Sequence, residues 1–206
     1  MGRQLDYYLT MASPWAYLGH AALMAAMARN GIQVAVRPTP LGRLFPQTGG
    51  LPLPQRHPAR QHYRLIDLQR WRNRRGVPLK LKPAHSRFDP SFVDRHVIAG
   101  LAAGAEVDDF MRAAFQGVWV HEFNLGDRVT VERLAREHGF AESVLALAEK
   151  PEILERYDRN LSDAIAAGVF GAPSYVLDGE VFWGQDRIEL LVEAIESGRA
   201  PFRMEE

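Results

Sequence analysis

The chain has 206 residues, enough for one domain or a domain with a large insertion, and its 47% apolar content supplies a sizeable core. Its 25 Lys and Arg balance 25 Asp and Glu, so overall charge does not make it a polyanion binder. It has no Cys, which excludes a disulfide framework, a Cys-based metal site and a Cys nucleophile. No apolar stretch is long enough for a bilayer, and a strand pattern starts within a few residues of Met1 without a basic-then-apolar leader; a soluble, cytoplasmic protein is expected.

Leu5, Tyr7 and Leu9 alternate with Asp6, Tyr8 and Thr10, which predicts a strand. Ser13 is a suitable N-cap and Pro14 suits the first helical position, because its missing N–H has no partner to lose there. The helix predicted from there to Arg29 is apolar nearly all round, hence buried on more than one side, and Asn30-Gly31 stops it. Ile32 to Arg37 alternates again and gives a parallel, right-handed strand–helix–strand unit. Residues 38 to 58 are rich in Pro and Gly and are expected to form a loop. Helical patterns follow at about 59–75, 90–103, 106–119, 127–138 and 151–167. Ser174 to Leu177, the turn Asp178-Gly179 and Glu180 to Phe182 predict a hairpin, and Ile188, Leu191, Val192 and Ile195 mark a last amphipathic helix. The order βαβ, helical block, ββα predicts an α/β protein with a thioredoxin-like fold and a large all-helical insertion. The outer segments are 1–43 and 166–206, and the insertion is 44–165.

Three stretches could carry chemistry. The strand–helix junction reads Ser13-Pro14-Trp15-Ala16, where a thiol oxidoreductase of this fold would carry Cys-x-x-Cys. Ser13 can be a plain N-cap. The same geometry, with free N–H groups and partial positive charge at a helix start, also stabilises a thiolate, to which the hydroxyl can donate. No Gly-x-Ser-x-Gly surrounds Ser13, which argues against Ser13 as the nucleophile. In Gly171-Ala172-Pro173-Ser174, Pro173 opens a strand; a cis bond there would turn the backbone of Ala172 toward an extended peptide. In Phe182-Trp183-Gly184-Gln185-Asp186-Arg187, Gln185 or Asp186 can cap the last helix. Alternatively Gly184 admits a ligand, Asp186 accepts from its ammonium group, and the helix N-terminus receives a carboxylate.

Ser13-Pro14-Trp15-Ala16-Tyr17-Leu18, Gly168 to Pro173 and Gly179 to Arg187, in this order and spacing, resemble the 2-hydroxychromene-2-carboxylate isomerase family, relatives of kappa-class glutathione transferases and DsbA-type oxidoreductases. Leu65 to Pro78 and Ala114 to Trp119 resemble it too, so the likeness spans nearly the whole chain. It implies a homodimer that binds glutathione as cofactor. The thiolate would lie on Ser13, the peptide backbone on Ala172 before Pro173, and the γ-glutamyl end on Trp183, Gly184, Gln185 and Asp186. It implies a glutathione-dependent isomerase of unsaturated aromatic acids that works by reversible conjugate addition of the thiolate. The same site suits a kappa-like transferase or thiol-dependent reductase, and a non-catalytic binding protein of the fold is a third reading.

The chain departs from the family where Gly-x-x-x-Lys-x-x-Gly-Asn is usual: Pro46 replaces the Lys and Gly50 the Asn, residues that orient the aromatic substrate in the family. Trp15, one turn above Ser13, Arg43 and His85 are candidate substrate contacts, and Arg60, His62 and Arg87 are further candidate partners of a substrate carboxylate. The segment from Arg56 to Arg87 holds ten Lys or Arg and one acid, Asp67. It is either a solvated helical face or a funnel for an anionic substrate; with no recognised module beside it, nucleic acid is not an expected partner. The histidines show no metal-ligand spacing, and Trp71 and Trp119 sit on apolar helical faces as expected core residues.

Overall fold

The computed structural model describes residues 3–203; the outermost residues of the two expected outer segments, 1–2 and 204–206, lie outside the described residues. Strand β1 (Gln4–Leu9) leads into helix α1 (Pro14–Arg29) and strand β2 (Gln33–Pro38), which pairs parallel with β1 from Gln4↔Gln33 to Leu9↔Pro38. At the far end β3 (Ser174–Leu177) lies antiparallel to β1, and β4 (Glu180–Trp183) antiparallel to β3, so the sheet order is β2-β1-β3-β4. The Asp178-Gly179 turn joins the last two strands with both residues at positive φ.

Strand alternation decides what covers each sheet face. Leu5, Tyr7 and Leu9 share a buried cluster with Tyr175, Leu177 and Phe182, and with Leu18, Leu23 and Met27 of α1 and Leu191 of the last helix, α9 (Ile188–Ser197). Tyr8 and Val176 point the other way, into a second cluster with Leu161 and Ala164 of α8 (Pro151–Ala166) and Leu44 of α2 (Leu41–Thr48). Helix α1 is buried nearly all round, as its composition requires, and touches α9, α3 (Pro58–Arg75) and α5 (Asp108–Trp119). The remaining helices are α4 (Ser91–Ala102), α6 (Arg128–Glu137) and α7 (Glu142–Leu147). Helix α4 is central among them and contacts α5, α6, α7, α8 and β2. No described helix is long and apolar enough to cross a membrane.

Two helices lie outside the expected elements. Helix α2 occupies the stretch expected to be a loop and carries Pro46 inside it. An interior Pro costs about 3 kcal/mol. Fully burying Leu44 returns about 1.5–3 kcal/mol, and half-buried Leu41 packs against the same cluster. Tertiary packing against α8 therefore decides the outcome over local propensity. The other unexpected helix, α7, is only six residues long and buries Val144 and Leu145.

Candidate active site

The loop from Thr10 to Ser13 turns β1 into α1. Ser13 caps α1 with φ −89° and ψ 117°, and its Oγ accepts from the Ala16 N–H at 3.2 Å. As an acceptor of that bond the oxygen keeps its own proton to donate outward. Helices of the insertion hold this loop from below. Asp94 of α4, fully buried, accepts from Thr10 Oγ1 (2.9 Å), from the Met11 N–H (2.8 Å) and from the Tyr157 hydroxyl of α8 (2.9 Å). Burial raises the Asp94 carboxyl to about 7 although all three donors favour its charged form. Neither Asp94 nor Tyr157 was a sequence candidate; their partners lie more than sixty residues away, and no local spacing records such pairs.

Across from Ser13, the Ala172–Pro173 bond is cis. The register of β3 begins at Ser174, so the backbone of Ala172 stands outside the sheet pairing. Gly184 follows β4 at φ 105°, a conformation that L side chains rarely adopt, and its N–H donates to the Pro173 carbonyl at 2.9 Å. The last helix starts without a side-chain cap: neither Gln185 nor Asp186 caps it, contrary to the plain sequence reading. Gln185 is instead buried and clamped by Arg75 of α3, which donates to its Oε1 (2.9 Å) and its carbonyl (2.8 Å) and pairs with Glu189 (2.9 Å). Gly19 allows this fit, since a Cβ there would lie 2.5 Å from the Gln185 Cβ. Asp186 pairs with Arg187 at 2.7 Å, and Trp183, half-exposed, packs its ring on Phe170.

These parts border two adjoining cavities. The first, about 690 Å³, is lined by Ala172, Pro173, Trp183, Gly184, Gln185 and Asp186 on one side. On the other it is lined by α3, with Arg60, Tyr63, Arg64, Asp67 and Trp71. The second, about 960 Å³, contains Ser13, Arg43 and Tyr157 in its wall. Trp15, Phe45, Arg56, Arg64 and Ala172 border both, so the two cavities adjoin, and Ser13 borders the second. The arrangement provides a hydroxyl donor at a helix start, a backbone segment at Ala172 outside the sheet pairing and an acid at the far end. These suit a thiol-bearing peptide with an ammonium group.

The substrate candidates separate. Trp15 borders both cavities, and Arg60 the first. Arg43 borders the second, but its guanidinium is spent on Asp158 at 2.5 Å. His85, His62 and Arg87 line neither; His85 is exposed near Glu122. Trp119 is buried core as expected, whereas Trp71 is only half-buried and faces the first cavity. Arg56, Arg64 and Phe45 were missed. A basic helix with cations four apart was a visible signal for the row on α3, but composition did not show which face is covered.

The family model described as the DSBA-like thioredoxin domain matches residues 4–196. A 2-hydroxychromene-2-carboxylate isomerase of Sphingobium xenophagum is 26% identical over 196 residues, covering 93% of this chain and 97% of its own. One of Pseudomonas putida is 25% identical over 204 residues, covering 93% of each. A solved structure of a 2-hydroxychromene-2-carboxylate isomerase superposes with a TM-score of 0.80 at 25% identity, covering 94% of this chain and 95% of that one.

Proposed function

The chain belongs to the DSBA-like thioredoxin domain family, and from that premise we propose that it is a glutathione-dependent isomerase of unsaturated aromatic acids, similar to the 2-hydroxychromene-2-carboxylate isomerases it resembles. The observation that carries this reading is Ser13: a capping hydroxyl with a free proton, in the wall of the second cavity with Trp15 and Ala172, in a chain without Cys. The residues present fit glutathione. Ala172 offers backbone outside the sheet pairing for the cysteinyl unit, and Trp183, Gly184 and Asp186 form a pocket end with an acid for the γ-glutamyl ammonium. Gln185 acts differently from the expectation. With its side chain turned to Arg75, it shapes that end by its backbone and by fixing Asp186 beside it.

Glutathione held at Ser13, Ala172 and Asp186 would supply a thiolate for reversible conjugate addition, chemistry in which the substrate gains and loses no atom overall. Ser13 holds that sulfur as an anion by donating its hydroxyl proton in a hydrogen bond, and the start of α1 adds partial positive charge. Trp15 and Phe45 offer aromatic surface to a planar substrate and keep water from the junction. Pro46 lies in α2 and lines neither cavity, while Gly50 borders the first, so the usual Lys and Asn contacts are absent and a cation must come from elsewhere. A homodimer in the cytoplasm belongs to the same proposal.

The test follows the interconversion of 2-hydroxychromene-2-carboxylate and trans-o-hydroxybenzylidenepyruvate by absorbance, with and without glutathione. Turnover is expected only with the thiol. Ser13→Ala is expected to lose turnover while glutathione affinity, read by calorimetry, stays within about threefold. Conjugates that accumulate in place of isomerised product would favour the transferase, and no thiol-dependent turnover would sink the isomerase reading.

A further inference from the structure

Four of the ten cations of the basic segment are committed. Arg70 pairs with Asp67, Arg75 with Glu189 and Lys80 with Glu122, and Arg72 donates to the Leu79 carbonyl. Arg56, Arg60 and Arg64 form a different group. Arg60 and Arg64 stand one turn apart on one face of α3, and Arg56 continues the row from the segment before it. All three line the first cavity, and Arg56 and Arg64 line the second as well. Arg56 uses its Nε on the Leu51 carbonyl and lies 5.9 Å from the Phe45 ring centroid. Among the described residues Arg64 has neither a hydrogen-bond nor an ion-pair partner.

Arg60 is exposed and water solvates it, whereas Arg64 is half-buried. Burial, and next the charge of Arg56, pull the Arg64 guanidinium down to about 10, which still leaves it cationic at neutral pH. A partly desolvated cation beside another cation is unfavourable until an anion joins it. The acids at these cavities do not serve. Asp67 faces Arg70, Asp186 pairs with Arg187 and Asp158 pairs with Arg43, while Asp89 at the second cavity is exposed, accepts from the Ser91 N–H and forms no ion pair with Arg64.

We propose that Arg64, assisted by Arg56, is the receptor for the carboxylate of a planar unsaturated acid, which lies along Trp15 and Phe45 with its reactive carbon toward Ser13. This rests on the isomerase reading for the identity of the reaction, but not for the binding of the acid. Arg64 supplies the cation that the family's Lys would have supplied from α2. A guanidinium matches a carboxylate with two parallel hydrogen bonds, which fixes the plane of the acid as well as its position.

The experiment uses trans-cinnamate and its uncharged methyl ester as probes, followed by tryptophan fluorescence without glutathione. Cinnamate is expected to bind the unaltered protein and to bind Arg64→Gln about tenfold or more weakly, with the ester binding both alike. Arg64→Lys is expected to recover part of the loss. Arg64→Met is expected to raise the melting midpoint of the ligand-free protein, since it removes an unpaired charge, and to abolish the further rise caused by cinnamate. Equal cinnamate binding by Arg64→Gln and the unaltered protein, or a lowered midpoint in Arg64→Met, would overturn the proposal. So would a tenfold loss of glutathione affinity in Arg64→Gln with cinnamate binding unchanged, because Arg64 would then hold the carboxylate of the peptide. Absent turnover with normal cinnamate discrimination would strike only the isomerase reading.

Discussion

The two walls of the groove present different chemistry. One wall, from Ser13 across Ala172 and Pro173 to Gly184, works through a hydroxyl, a helix start and unpaired backbone. The facing wall, on α3, the segment before it and α2, works through long side chains: Arg56, Arg60, Arg64, Tyr63 and Trp71, with Phe45 of α2 beside Arg56. Backbone recognition is indifferent to most sequence change, so the first wall suits a constant guest. Side-chain recognition changes with each substitution, so the second suits a guest that differs between relatives.

Ser13→Ala should produce the largest effect and strike the first wall alone: kcat falls by about 10²–10³, the cost of removing one donor to a reacting anion, while KM for the acid stays put. Paired with Arg64→Gln, which should raise KM for the acid and spare kcat, it gives opposite kinetic signatures; matching signatures would dissolve the distinction between the walls. Arg75→Ala tests the strut that joins them. It strips two donors from buried Gln185, so denaturant unfolding should show a loss of about 1–3 kcal/mol together with weaker glutathione binding. An unchanged affinity would separate the walls more completely than we infer.

Asp94→Asn probes the floor under Ser13. The folded carboxyl value of about 7 lies above the ordinary 3.8, so folding takes up a proton between those values. The stability this group contributes is full below about pH 4 and is lost as pH rises through 7. The denaturation midpoint of the unaltered protein should fall from pH 5 to pH 8, and Asp94→Asn should flatten that slope. The smallest effect belongs to Arg43→Ala. An exposed ion pair with Asp158 contributes about 0–1 kcal/mol, and KM for the acid should be unmoved.

The junction of β1 and α1 was legible because apolar alternation gives way to a continuous apolar run at a Ser-Pro pair that suits a helix start, and both signals are local. The hairpin of β3 and β4 was legible for the same reason. Helix α2 was not, because Gly42, Pro46, Gly49 and Gly50 argue locally for a loop while the burial of Leu44 is decided by α8, more than a hundred residues on. Arg64 was hidden among ten similar charges. Its difference lies in the docking of α3 against α1, which leaves Arg64 half-buried with no acid beside it, while Arg60 is exposed and half-buried Arg72 and Arg75 are bonded to other groups. His85, expected at the site from a likeness in sequence, stands exposed near Glu122 and borders neither cavity.

A chain of 206 residues with no Cys gives an experimenter an unusual control. Iodoacetamide finds no sulfhydryl to alkylate in the protein, and peroxide leaves no disulfide to reduce. If the reacting sulfur is a guest's, gel filtration removes it and fresh thiol restores it without refolding. Synthetic analogues carrying oxygen or selenium in its place can then be exchanged into one unaltered polypeptide, so the nucleophile can be varied like a reagent.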